Sequence, residues 1–426
     1  MAAVKFPKGF LWGAATSAHQ VEGGNRNDWM EWEIETAKRK VQSAKQNPPA
    51  GGWSDFILKN YPNPLQEENY ISGRACDHYN RFRQDFDIAK QLGHNAHRFS
   101  IEWSRVEPEE GKFNQAEIEH YRQMIQALRE RGMEPFVTLW HYTLPRWFAV
   151  RGGWLAADAP KLFTRYAERM AAEFGNQVKF WITENEPETF ARHGFLTGDR
   201  PPGKRNIWQA YRVLKNLLSA HLLTREAIHI LRPNAQVGIA ETQVFFEPFD
   251  KSPVNRLVLR IVKWWRNNPF IRHFIANSDF FGLEYYFHTR VRFNPFVSKW
   301  GIQYNENKAV SDMGWELYPQ GIEPLLAELN LFRKPIYILE HGLADAKDSR
   351  RAWYIKESLK QVGKALAQNL DVRGYFHWSL LDNFESNLGF WPRFGLVEVE
   401  YKTLERKIRP SAWEYKKIID ANAIET

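Results

Sequence analysis

Val178–Asn185 reads VKFWITEN, and the chain passes from it directly into Glu186. The run is almost continuously apolar until it ends in three polar groups, Glu184, Asn185 and Glu186. Strands covered on both faces of a parallel sheet have this character. Seven other stretches share it: Phe10–Ser17 (FLWGAATS), His94–Ser100 (HNAHRFS), Glu134–Trp140 (EPFVTLW), Ala235–Gln243 (AQVGIAETQ), Ser278–Tyr286 (SDFFGLEYY), Lys334–His341 (KPIYILEH) and Val372–Leu380 (VRGYFHWSL).

The segments between them carry helical spacing. Asn114 with Glu117 makes a capping-box start, Ile118, Tyr121, Ile125 and Leu128 recur at three and four, and Gly132 ends the pattern. Tyr79, Phe82, Phe86, Ala89 and Leu92 repeat it earlier, and Leu214, Leu217, Leu218, His221, Leu222 and Ile228 later. Eight strand–helix alternations predict an α/β fold, a single (β/α)8 TIM barrel over residues 1–426. An open doubly wound sheet would need a phosphate or dinucleotide fingerprint. The nearest match, Gly198–Lys204 (GDRPPGK), continues into Arg205 and holds two prolines, and it is rejected. Long loops after the first strand (22–74) and the fifth (from Phe245) predict a deep, walled pocket on the C-terminal face.

Composition agrees. The 426 residues are 43% hydrophobic and 25% charged, ordinary values for a folded soluble chain. No stretch approaches the ~18 apolar residues of a membrane span. No secretory leader is seen in Met1–Gly9, and one cysteine, Cys76, allows no internal disulfide; a cytoplasmic location is expected. The net charge is +8, from 58 basic and 50 acidic residues, and part of the excess is local. Lys251–Ser278 holds Lys251, Arg256, Arg260, Lys263, Arg266 and Arg272 and no acid. That segment reads either as a basic-aromatic membrane contact or as a barrel helix burying Leu257, Ile261 and Trp264 or Trp265, and the second is preferred. No nucleic-acid motif accompanies the charge.

In a barrel enzyme, the informative residues are polar groups at the C-terminal ends of the strands. Here they are His19, Gln20 and Glu22; Arg98 and Glu102; His141; Glu184, Asn185 and Glu186; Glu241 and Gln243; Glu284 and Tyr286; Glu340 and His341; and Trp378. Glu186 and Glu340 end the fourth and seventh strands and would face one another across the mouth. Glycoside hydrolysis needs such a pair, one carboxylic acid to protonate the leaving oxygen and one carboxylate on the other side of the sugar. Arg98 would hold one of them ionised, and Tyr286 would donate to it. The other, flanked by tryptophans and less compensated, would keep its proton near neutral pH. No H-x-H, H-E-x-x-H or G-x-S-x-G occurs, so neither a metal nor a cofactor is expected.

At these residues the sequence resembles glycoside hydrolase family 1, the β-glucosidase/β-glycosidase family, from Phe10 to about Tyr415. Trp181–Pro187 (WITENEP) is similar to its acid/base motif and Tyr337–Gly342 (YILEHG) to its nucleophile motif. Phe10–Gly23 (FLWGAATSAHQVEG), His97–Arg105 (HRFSIEWSR), Thr138–Trp147 (TLWHYTLPRW), Gly282–Tyr286 (GLEYY), His377–Glu385 (HWSLLDNFE) and Arg393–Val399 (RFGLVEV) complete the likeness.

The resemblance implies Glu186 as general acid/base and Glu340 as nucleophile, supported by Arg98 and Tyr286. It places Asn185 on the sugar 2-hydroxyl, Gln20, His141 and Glu385 on the other hydroxyls, and Trp378 as a platform. Phe394 is counted with the sugar-binding residues; with Pro392, it stands where phospho-sugar members carry Tyr and Lys. The implied activity is retaining, exo-acting β-glucoside hydrolysis on a small carbohydrate, with carboxyls about 5–5.5 Å apart.

Five positions depart from the family pattern. Ser386 replaces a tryptophan, Glu284 and His341 replace asparagines, His19 a tyrosine, and Glu184 an apolar or aromatic residue. Glu184 and Glu284 are expected to add negative charge near the site. The alternatives are a weakened, mainly sugar-binding family member and a transglycosylase.

Overall fold

The computed structural model describes residues 3–49, 52–266, 269–293 and 309–425. Eight parallel strands close into one barrel: β1 (Leu11–Ala15), β2 (Ala96–Ser100), β3 (Glu134–Trp140), β4 (Phe180–Asn185), β5 (Gln236–Pro248), β6 (Phe280–Val291), β7 (Ile336–His341) and β8 (Val372–Trp378). Each neighbours the next in chain order, and β8 returns to β1 through Gly13↔Phe376. All eight expected runs are strands, and closure removes every edge.

Side chains fill the barrel, as its width requires. Ala96, Phe136, Phe180, Ile182, Ala240, Phe280, Tyr337, Leu339 and Phe376 form a closed interior cluster. Phe136 lies at its centre, stacked on Phe180 at 4.2 Å and tilted against Phe376 at 4.9 Å. This packed plug is the floor on which the polar strand ends stand.

The longer helices are α1 (Asp28–Gln46), α2 (His78–Gln91), α3 (Gln115–Glu130), α4 (Ala159–Phe174), α5 (Ile207–Leu231), α6 (Pro253–Arg266), α7 (Pro269–Ala276), α8 (Ile322–Asn330), α9 (Arg351–Ala367) and α10 (Pro410–Ala421). The Asn114 side chain caps α3 by accepting from the Ala116 and Glu117 amides, and Ile118, Tyr121, Ile125 and Leu128 face the barrel. Phe82, Phe86 and Ala89 do the same on α2. On α5, Leu217, His221 and Ile228 are buried but Leu222 is exposed. One residue beyond His221 lies ~100° around the helix, off the buried face. Among the described residues, no helix is long and apolar enough to cross a membrane.

Two expectations change at β5, β6 and α6. Strand structure does not stop at Gln243 and Tyr286. After a register shift, Val244–Pro248 pairs with Phe287–Val291 and carries a two-stranded ribbon above the rim. The helix after it does not bury Leu257, Ile261 and Trp264, all of which are exposed. It packs instead through Asn255 and Val258. Asn255 donates to Asp250 and accepts from the Phe293 amide, both at 2.8 Å, which fixes the helix rotation. The side chains of Trp265 and Arg266 lie outside the described residues.

Candidate active site

A cavity of about 990 Å³ opens at the C-terminal ends of the strands. Its wall includes Gln20, His141, Asn185, Glu186, Tyr286, Glu340, Trp378, Glu385 and Phe394. The residues expected from the strand ends and the family motifs therefore meet in one space, with Arg98 buried beneath them.

Arg98 organises the floor. Its Nε donates to Thr138 at 3.1 Å, Nη2 donates to Asn185 Oδ1, and Nη1 donates to Glu340 Oε1 at 2.7 Å and Glu284 Oε1 at 2.8 Å. Tyr286 donates its hydroxyl to Glu340 Oε2 at 3.0 Å. A cation and a phenol thus grip both oxygens of Glu340. Gly342, two residues on, is required by close approach: a Cβ there would lie 1.9 Å from the Trp378 carbonyl oxygen.

Glu284 shares this floor and is completely buried. Among the described residues no donor reaches its Oε2, and the carboxyls of Glu340 and Glu186 lie near it. A proton on Glu284 satisfies that oxygen. Burial, reinforced by those two neighbouring charges, pushes the Glu284 carboxyl well above the usual carboxylate range. Burial also raises Glu340, and Arg98 with bonds from Glu284 and Tyr286 only partly offsets it. Arg98 draws the Glu340 carboxyl down, as expected, but burial outweighs it and leaves the net direction upward.

Glu186 stands at the turn from β4 into the short helix Pro187–Arg192, with a left-handed φ of 46°. That conformation is uncommon for a side chain with a Cβ. Thr242 donates to Glu186 Oε1. Burial and then the Glu340 charge push the Glu186 carboxyl up to about 7, while Arg200 draws it down. Both reacting carboxyls are thus raised by burial, Glu340 being offset by Arg98 and Tyr286 and Glu186 by Arg200, with Thr242 and Arg200 as unforeseen partners.

The remaining wall is polar on one side and aromatic on the other. Gln20 donates to Asn383 at 3.1 Å, and Ser17 donates to Gln20. His141 lies 3.4 Å from the Asn185 amide nitrogen and stacks nearly parallel to Trp378 at 6.2 Å, whose Nε1 donates to Glu385 at 3.3 Å. Burial lowers His141 well below the ordinary value, so the ring is neutral at physiological pH. Burial raises Glu385 to about 7. The loop carrying Glu385 is anchored by Asp382, which accepts from Arg409 at 2.7 and 2.8 Å. Phe394 and Tyr286 meet edge to face at 6.3 Å, beside Trp315.

Several strand-end groups do not reach the cavity wall. His19 bonds Glu33 at 2.7 Å, Glu22 accepts from Tyr121 and Arg105, and Glu102 accepts from Ser104 and Thr143. Glu241 accepts from the Glu188 amide, and Gln243 donates to the Thr242 carbonyl. His341 is buried against Tyr375 and Tyr354, with burial pushing it down to about 3. Glu184 is fully buried beside Glu241, both its oxygens without a donor among the described residues. Burial raises it well above the usual range, so it is neutral and adds no charge to the site, contrary to expectation.

Residues not foreseen include Thr242, Arg200 and, from α6, Ile261, Val262 and Trp264. Arg200 belongs to GDRPPGK, a segment weighed only as a phosphate loop. Its position after β4 was the available signal, since loops at that end of a barrel build the site. Ser386 lines the cavity, as the family likeness implied.

The model of "Glycosyl hydrolase family 1" matches residues 2–277 and 270–424. "Beta-glucosidase A" of Thermotoga maritima is 32% identical over 99% of this chain and 99% of its own. The solved β-glycosidase of Pyrococcus horikoshii superposes with a TM-score of 0.86 at 36% identity, over 100% of this chain and 97% of its own. The Thermotoga maritima β-glucosidase in complex with glucoimidazole gives 0.84 at 30% identity, over 99% and 100%. With the two glutamates in one cavity and the likeness running from end to end, the chain belongs to glycosyl hydrolase family 1.

Proposed function

We propose that the protein is a retaining, exo-acting β-glycosidase that hydrolyses the terminal non-reducing β-D-glucosyl residue of short β-glucosides. The observation that carries this is the meeting of Glu186 and Glu340 in one cavity from β4 and β7. The names of the relatives support the sugar and the linkage. The retention of both carboxyls favours turnover over sugar binding alone.

In the proposed first step, the Glu340 carboxylate attacks the anomeric carbon while Glu186 gives its proton to the departing oxygen. A carboxyl near 7 keeps a proton to give at neutral pH. Once Glu340 becomes an ester its charge is gone, and one cause of the raised Glu186 pKa goes with it. Glu186 then falls toward the ordinary range, helped by Arg200, and can take a proton from the water that releases the sugar. Asn185 would bind the 2-hydroxyl, Gln20, His141 and Glu385 the others, and Trp378 with Phe394 the ring face. Neutral His141 adds no positive charge beside Arg98.

A panel of aryl β-glycosides tests the reading. Release of the aryl group from the β-glucoside, lost in Glu340→Gln, is expected. Absence of release from every common aryl β-glycoside between pH 4 and 8 would refute it. A cytoplasmic location belongs to the same proposal, supported by the lone, buried Cys76 and tested by cell fractionation.

A further inference from the structure

A second cavity, of about 420 Å³, adjoins the active site without being part of it. Helix α1 supplies Trp32, Arg39 and Lys40 to its wall, and the loop over 198–205 supplies Asp199 and Arg205. That loop is seated on α1, since a Cβ at Gly203 would lie 2.9 Å from the Trp32 ring. The two cavities are neighbours through consecutive residues. Asp199 lines the second and Arg200 the first, and Asn387 lines the second and Ser386 the first.

The lining carries three cations, Arg39, Lys40 and Arg205, against one acid, Asp199. Asp199 is already engaged: it accepts from the Thr197 hydroxyl and lies 2.9 Å from His193 Nδ1. Arg205 donates its Nε to the Thr197 carbonyl at 3.0 Å, which fixes the guanidinium. The Lys40 ammonium is buried with no hydrogen-bond partner among the described residues, 5.7 Å from the centre of the Tyr70 ring. Glu33, the one carboxylate that acts on it, is bonded to His19 and Ser72. Burial pushes Lys40 down to about 8, with Arg39 and Arg200 adding to the fall and Glu33 opposing it. Cations gathered on a concave, partly desolvated surface attract an anion far more strongly than scattered surface lysines do.

The same wall also accepts hydrogen bonds. Asn387 Oδ1 is buried without a donor among the described residues. Burial acts to raise Asp199, but the bonds from His193 and Thr197 outweigh it and hold the carboxyl well below the usual range, so it stays an acceptor. Trp32 Nε1 is a further buried donor without an acceptor among the described residues. A fitting ligand therefore brings anionic oxygens for the cations and a hydroxyl for Asp199 or Asn387. Hydrogen phosphate has both, and so does a phosphate monoester of a short polyol. Sulfate has only the first.

We propose that this second cavity binds a small phosphate-bearing anion, held by Arg39, Lys40 and Arg205 and selected by Asp199 and Asn387. The site is independent of the glycosidase reading, because binding is measured without turnover.

The test is calorimetric titration of the full chain near pH 7 with inorganic phosphate, glycerol 3-phosphate and sulfate at matched ionic strength. One site is expected, with phosphate or the monoester bound at least about fivefold more tightly than sulfate, through the extra hydrogen bond. The tighter of the two phosphate compounds identifies the source of the group, and either one supports the site. Arg39→Gln/Lys40→Gln should weaken binding at least about tenfold, the loss expected from removing charge-assisted hydrogen bonds. Arg39 is exposed, so Arg39→Glu alone serves as a second variant, and circular dichroism with a melting curve checks both folds. Equal affinity for sulfate would reduce phosphate to an adventitious ion only and overturn the proposal. Unchanged affinity in both variants would place the anion elsewhere and overturn it too, as would no binding at millimolar concentration.

Discussion

Glu284 and Glu340 are register partners across β6 and β7, and both accept from the same nitrogen of Arg98. One guanidinium cannot fully compensate two carboxylates in a buried site, so the pair carries a proton. The unpartnered Oε2 of Glu284 puts that proton on Glu284.

Glu284→Gln removes no charge if Glu284 is already neutral. Its kcat/KM for an aryl β-glucoside is expected within about threefold of wild type (below ~1 kcal/mol). The acidic limb of its pH profile is expected to stay in place. A fall of that limb by a full pH unit would mean that a negative charge had been taken away beside Glu340. Measuring kcat/KM from pH 4 to 9 decides between the two.

The acid/base role of Glu186 sets the basic limb. A group raised to about 7 must be protonated for the first step, so kcat/KM is expected to fall as pH rises through about 7. Glu186→Gln should lose on the order of 10²–10⁴-fold on poor leaving groups such as methyl, and much less on dinitrophenyl glucoside. Equal losses across leaving groups would contradict the assignment.

Arg200 draws the Glu186 pKa down and faces Glu385 as well. Replacing it with Met removes a positive charge that favours ionised Glu186. The basic limb of Arg200→Met should therefore move to higher pH than in wild type. A shift in the other direction in the kcat/KM profile would show that Arg200 does not act on Glu186.

Phe136 fills the centre of the barrel plug and is completely buried. Phe136→Ala is expected to cost about 3–5 kcal/mol of stability, through lost burial and an unfilled cavity beneath the site. Urea denaturation of variant and wild type measures it. A change under 1 kcal/mol would mean that the plug had closed around the gap.

Strand positions were legible because a barrel strand is apolar on both faces and ends abruptly in polar groups. VKFWITEN and KPIYILEH state this without reference to partners. The ribbon above the rim was not legible. Val244–Pro248 is only partly buried, the buried residues of Phe287–Val291 include the polar His288 and Arg290, and the pairing of the two segments depends on each other.

Side-chain direction at the strand ends was equally hidden. Glu184 and Glu284 look alike in sequence, yet one faces Glu241 away from the cavity and the other lies between the reacting carboxyls. A single register shift decides such a difference, because neighbouring residues on a strand point to opposite faces. The expected burial of Leu257, Ile261 and Trp264 on α6 failed for a related cause. Helical periodicity identifies apolar arcs, but which arc meets the protein was set by Asn255, a polar residue that the pattern ignored.

By itself, the order of residues determined the barrel, its eight strands and the pair Glu186 and Glu340, because local apolarity and strand-end chemistry are carried by consecutive residues. Only the tertiary structure decided which carboxyl is protonated, that Arg98 is shared, and which side chains of α6 stay exposed. Those properties arise from burial and from charges brought together across hundreds of residues, which no local stretch of chain contains.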